Sequence, residues 1–133
     1  MITKPKRKKS AFLLYFRAYL PSILWASLIF FLSNQQTLPG FDLSLLDFLF
    51  KKSAHIFVYA VLYYLLFWAY LKTNPSQTLN KKHYVIPLII GLIYALSDEL
   101  HQSTVNGRHP KLRDVAYDFL GMMSILLHQQ KLL

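Results

Sequence analysis

SDELHQSTVNGRHPKLRDVAYDFLG, residues 97–121, decides how this chain folds. It carries Asp98, Glu99, His101, Arg108, His109, Lys111, Arg113, Asp114 and Asp118 between two flanks, 84–96 and 122–127, that are almost wholly apolar. Ionised side chains are costly next to hydrocarbon and are placed where they meet partners or water. So much ionisable chemistry between two greasy runs therefore reads as a polar segment joining two membrane helices, with acids reaching back into both.

The rest of the chain supports a membrane reading. Its 133 residues suffice for one domain. It is 54% hydrophobic and 16% charged, against roughly 25% charged in a soluble domain, and its apolar residues come in long blocks. No cysteine is present, which excludes disulfides, thiolate nucleophiles and Cys-based metal sites. The net charge of +9 is concentrated in KPKRKK, residues 4–9, directly before a hydrophobic segment. That placement matches the positive-inside rule. No folded reading domain accompanies the basic run, so nucleic acid is not an expected partner. The first apolar stretch is too long for a signal peptide and reads as an uncleaved anchor.

A bilayer core of about 30 Å needs about 20 apolar residues in a helix. Four candidates meet or approach that length, at about 12–32, 55–71, 84–100 and 115–133. Pro21 either kinks the first or separates an interfacial turn from it, and Pro87 is tolerated in the first turn of the third. The fourth is the least apolar, because Asp118 interrupts it early. The expected architecture is all-α: a basic cytoplasmic tail over 1–11 and a four-transmembrane-helix bundle over 12–133. With both termini inside, ten basic residues fall on the cytoplasmic side. Lys51, Lys52, Arg108, Lys111 and Arg113 fall outside. All six acids (Asp42, Asp47, Asp98, Glu99, Asp114 and Asp118) then lie at the outer face, with His55, His101 and SNQQ at the same level.

Helical spacing groups these residues into stripes. Tyr94, Asp98 and His101 share one face of the third helix, with Glu99 and Gln102 beside them. Lys52, His55 and Tyr59 align on the second, and Asp114, Asp118 and Gly121 on the fourth. Gly121 offers a surface that another helix backbone or a lipid chain can approach closely. Stripes of this kind avoid lipid, which predicts a polar, outward-opening cup. Bland roles compete with functional ones: Glu99 in the headgroup layer, His55 on a backbone carbonyl, Arg108 and Arg113 as loop cations on lipid phosphates, Asp114 favoured by its helix dipole. Asp118 resists such a role, since it lies a full turn inside its span. The inventory permits acid–base chemistry by Asp98, Glu99, His55 and His101. It also permits a phosphate contact by Arg108 with Lys52 or Arg113. His55 and His101 with a carboxylate could hold a divalent metal, but there is no compact ligand spacing such as HExxH and no cofactor is expected.

At these same residues the sequence resembles the VanZ-like family. The resemblance covers about residues 32–121 and rests on LSNQQ, on KSAH followed by VYAVL, and above all on SDELHQ, NGR and DVAYDFLG in that order. The family's usual Pro-Gly-Arg turn is Asn106-Gly107-Arg108 here, and the family accepts Asn or Asp at the position of Asp118. The resemblance implies a multi-pass protein of the bacterial cytoplasmic membrane whose founding member is associated with low-level resistance to teicoplanin. It implies membrane lipids as partners, with a lipid-linked cell-wall precursor or a lipoglycopeptide as the ligand of the cup. Two functions follow. A non-enzymatic envelope factor would bind such a ligand through Lys52, Tyr59, Gln102, Arg108, Asp114, Asp118 and Gly121. A membrane enzyme acting on a lipid headgroup or undecaprenyl-linked substrate would use Asp98 or Glu99 as base, His55 or His101 as proton shuttle and Arg108 as phosphate clamp.

Overall fold

The computed structural model describes residues 11–35, 44–106 and 111–132. These form four helices: α1 (Ala11–Ser33), α2 (Ser44–Thr73), α3 (Lys81–Gln102) and α4 (Leu112–Leu132). The fold is all-α, a four-helix bundle, as the apolar blocks require. The basic tail over 1–10 and Arg108 lie outside the described residues.

Two helix boundaries differ from the sequence reading. α1 runs unbroken through Pro21, with neither a break nor a separate interfacial turn. α2 begins at Ser44, eleven residues before the expected start at 55, so Lys51 and Lys52 are helical rather than loop residues. The chain supplies no reason to stop there. Pro39-Gly40 and Pro75 are the nearest breakers on either side, and Lys51 pairs with Asp47 one turn back at 2.7 Å. Asn80 caps α3 by accepting from the Lys82 backbone N–H at 3.0 Å.

The inter-helix contacts give the directions of the helices. Ala26 meets Tyr94, and Ser33 meets Gln102, so α1 and α3 run parallel. Lys52 meets Asp114, and His55 meets Asp118, so α2 and α4 run parallel. Tyr59 meets Asp98 and Phe67 meets Tyr84, so α2 opposes α3. The result is an up-down-up-down bundle. α2 touches all three other helices, whereas α1 and α4 do not touch among the described residues. α2 accordingly supplies most of the core: Tyr59, Leu62, Tyr63, Leu66 and Phe67 are buried against Ile29, Ala95, Met122 and Leu126. Polar tips of core aromatics are satisfied by backbone carbonyls of the neighbouring helix. The Trp25 indole N–H donates to Val58 at 2.8 Å and the Tyr94 hydroxyl to Ala26 at 2.6 Å.

The outer surface is greasy. Phe12, Leu24, Phe31, Phe57, Ile93 and Leu100 are among many large apolar side chains left exposed. α1, α2 and α3 are long and apolar enough to cross a membrane. α4, at 21 residues, has the length but is more polar than the other three. It hides much of that polarity against its neighbours: Asp118 and Gln129 are 2% and 5% exposed.

Gly121 holds α4 against α2. A Cβ there would collide with the backbone carbonyl of Ile56, so only glycine permits the observed approach. Of the two partners the sequence allowed Gly121, the helix backbone is the one it meets. Gly91 has a milder neighbour, the Met122 sulfur, 2.5 Å from where a Cβ would sit. Thermal unfolding in detergent should therefore separate the two. Gly121→Ala should cost about 1–3 kcal/mol or more, because two helix backbones must part. Gly91→Ala should cost clearly less, because a thioether side chain can move.

Candidate functional site

The antiparallel alternation carries the C-terminal end of α1, the N-terminal half of α2, the C-terminal end of α3 and the N-terminal end of α4 to one end of the bundle. All five described acids, Asp47, Asp98, Glu99, Asp114 and Asp118, are at that end. Lys72, Lys81, Lys82 and Lys131 are at the other. A cavity of about 290 Å³ opens among the helices at the acidic end. One wall is apolar, made by Ile29, Leu32, Phe50, Ala54 and Val58. The remainder is polar, made by Ser33, Lys51, Lys52, His55, Tyr59, Asp98, Gln102 and Asp114.

Asp98 is the centre of the floor and is 5% exposed. Its Oδ2 accepts three hydrogen bonds: from the Ser33 hydroxyl at 2.8 Å, the Gln102 amide at 3.1 Å and the Tyr59 hydroxyl at 3.3 Å. Gln102 also donates to Ser33 at 3.3 Å, closing the network across α1, α2 and α3. The other oxygen, Oδ1, is buried and has no hydrogen-bond partner among the described residues. Ser33 opens the SNQQ stretch that the sequence placed at this level, though no contact with Asp98 was expected of it.

An ion pair and a histidine–carboxylate hydrogen bond line the α2–α4 side. Lys52 donates to Asp114 at 2.5 Å and lies 5.5 Å from the Tyr117 ring centroid and 5.8 Å from that of Phe48. One turn deeper, His55 Nδ1 is 2.8 Å from Asp118. The carboxylate thus fixes the imidazole by Nδ1, leaving Nε2 as the nitrogen available to a ligand. Both pairs follow from the parallel packing, since residues 52 and 55 and residues 114 and 118 rise along their helices together.

The two stripes expected on α3 divide differently from the sequence reading. Asp98 and Gln102 face the cavity as an i, i+4 pair. Glu99 turns to the start of α4, where its carboxylate accepts from the Lys111 backbone N–H. His101 stacks on Phe30 of α1 at 4.4 Å between ring centroids, and its Nε2 is buried without a partner among the described residues. Of the four residues proposed for acid–base work, Asp98 and His55 line the cavity, and Glu99 and His101 do not. Lys52, Tyr59, Gln102 and Asp114 line it, Asp118 backs it through His55, and Gly121 belongs to the helix contact. No three His, Asp or Glu side chains among the described residues are grouped to hold a metal ion.

Because Asp118 is buried and holds His55, its replacements should be graded. Asp118→Asn keeps an acceptor for His55 and should be tolerated, whereas Asp118→Ala leaves the ring nitrogen unpaired and should cost about 1–3 kcal/mol. Unfolding midpoints of the two variants in the same detergent check this order.

The motifs at this end of the bundle (KSAH on α2, SDELHQ on α3 and DVAYDFLG on α4) are those on which the family resemblance rests. The chain matches the VanZ/LLP1 family over residues 12–128, across all four helices. No curated protein and no solved structure matches it. A match over nearly the whole folded chain, with three helices apolar enough to span a bilayer, makes this protein a multi-pass integral membrane member of the VanZ/LLP1 family.

Proposed function

We propose that this is a bacterial cytoplasmic-membrane protein whose cavity faces outward and holds the head of a lipid-linked or lipidated ligand. The observation that carries the reading is the two-sided lining of the cavity. An apolar wall from Ile29 to Val58 suits an acyl or prenyl chain, and a polar floor of Ser33, Asp98, Gln102 and Tyr59 suits a headgroup. Leu32 and Phe50 on the rim are 38% and 48% exposed, so the apolar wall is continuous with the lipid-facing surface.

Charge supports an orientation with both termini inside. Lys72, Lys81, Lys82 and Lys131 gather at the end opposite the acids, and α1, which follows the basic run KPKRKK in the sequence, begins at that same end. α4 runs parallel to α2 along its length, and in this reading it crosses the bilayer with it as the fourth span. By engaging a lipoglycopeptide such as teicoplanin or a lipid-linked cell-wall precursor at the outer face, the protein would lower susceptibility to such antibiotics.

A second reading, a membrane enzyme that modifies a lipid headgroup or an undecaprenyl-linked substrate, draws on one specific contact. The Asp118–His55 pair is the arrangement by which a carboxylate orients an imidazole for general acid–base work, and His55 lines the cavity. In this reading His55 is the proton-transferring group and Asp118 its positioning residue.

Because the chain has no cysteine, single introduced thiols report sidedness directly. Thr104→Cys, in the exposed α3–α4 connection, should react with a membrane-impermeant maleimide on intact cells. Ser76→Cys, in the α2–α3 connection, should react only after permeabilisation. The reverse pattern would overturn the outward orientation. Ala54→Trp, which fills the cavity from its apolar wall, should return teicoplanin susceptibility to that of cells lacking the protein. Mass spectrometry of lipid extracts separates the readings: binding leaves headgroup composition unchanged, whereas an enzyme alters one species and His55→Asn abolishes the change.

A further inference from the structure

Asp98 is loaded on one oxygen only. Three neutral donors converge on Oδ2, while Oδ1 of the same buried carboxylate has no partner. The basic side chains near the cavity are committed elsewhere: Lys51 to Asp47, Lys52 to Asp114 and His55 to Asp118. Among the described residues no cation lies on Asp98. A buried carboxylate without a countercharge is costly, and a ligand that brings both an N–H donor and a positive charge offsets that cost.

We propose that the floor of the cavity recognises a primary ammonium group carried on an acylated, membrane-borne molecule, with the incompletely satisfied carboxylate of Asp98 as its acceptor. This deepens the headgroup-binding reading above and rests on it. The order of groups along α2 supports the polarity of entry. Lys51 and Lys52 lie toward the rim, and Tyr59, which bonds Asp98, lies seven residues deeper, a rise of ~10 Å. A head that enters amine first places any anionic group it carries nearer the lysines. A head that enters phosphate first would meet Asp98, with Asp114 and Asp118 close by, and is disfavoured. A hydroxyl would supply the missing donor but not the charge, and a trimethylated ammonium would supply the charge but no donor.

Native mass spectrometry of the full chain, released from micelles with an equimolar lipid mixture, tests the assignment. Phosphatidylethanolamine should be retained roughly tenfold over phosphatidylcholine, which lacks N–H, and over phosphatidylglycerol, which lacks the cation, as one charge-assisted hydrogen bond implies. Asp98→Asn keeps the shape of the side chain and should bring these ratios toward one at an unfolding midpoint no lower than that of the native chain. Equal retention of the three lipids by the native chain overturns the assignment without needing any variant, as does a preference that survives in Asp98→Asn. Dodecylamine identifies the source. If it displaces phosphatidylethanolamine, the amine alone is recognised; if it does not, the phosphate is held as well, which points to a phospholipid. The Ala54→Trp variant keeps this test distinct from that of the cavity itself. Retention of every lipid despite the blocked cavity defeats the headgroup-binding reading. Loss of all lipids in that variant, with no headgroup preference in the native chain, defeats the ammonium assignment alone.

Discussion

The approach of α4 to α2 at Gly121 sets the register on which the polar chemistry depends. Gly121 places the α4 backbone against the carbonyl of Ile56, a contact that tolerates no side chain. One turn earlier on α4 and one residue earlier on α2, that same register brings Asp118 to His55, and another turn out it brings Asp114 to Lys52. Were the helices held apart by a methyl group, both contacts would lengthen and the buried carboxylate of Asp118 would lose its partner. Close packing of small residues is how helices associate where the surroundings are as apolar as they are. Here it also decides which charges meet.

A second consequence is the division of labour among the helices. α2 is central and carries the aromatic core, so its polar residues toward the N-terminal end face every neighbour at once. Lys52 and His55 answer α4, and Tyr59 answers α3. α1 contributes one hydroxyl, Ser33, and α3 contributes Asp98 and Gln102, which together close the floor. α4 can be the most polar helix and still lie in the bundle because Asp118 turns inward to His55.

The acids at this end of the bundle differ in how fully they are satisfied. Asp114 and Asp118 are each satisfied by a cation or an imidazole, and their geometry explains how a marginally apolar helix is held. Asp98 is satisfied on one oxygen only, and it sits at the bottom of a cavity with an apolar wall. An incompletely satisfied buried carboxylate is an ordinary cost in a core and a recognition element in a cavity. In the reading proposed above, Asp98 is the second.

The sequence by itself determined the class: long apolar blocks dictate helices, and the acids fall in segments that any up-down bundle sends to one end, with most of the basic residues in segments it sends to the other. It also determined the polar candidates, because carboxylates inside apolar runs must find partners. Extended reach in α2 escaped it, since residues 44–54 mix lysine with apolar residues, and hydropathy marks greasiness rather than helix ends. What only the tertiary structure decided was the pairing. Periodicity put Asp98 and His101 on one face and Glu99 on the next, but a helical face is broad. Which neighbour lies across from each residue depends on where adjacent helices sit in rotation and height. Those offsets are set by packing at Gly121, Met122 and the α2 aromatics, so His55 finds Asp118, His101 finds Phe30, and Asp98 finds Ser33.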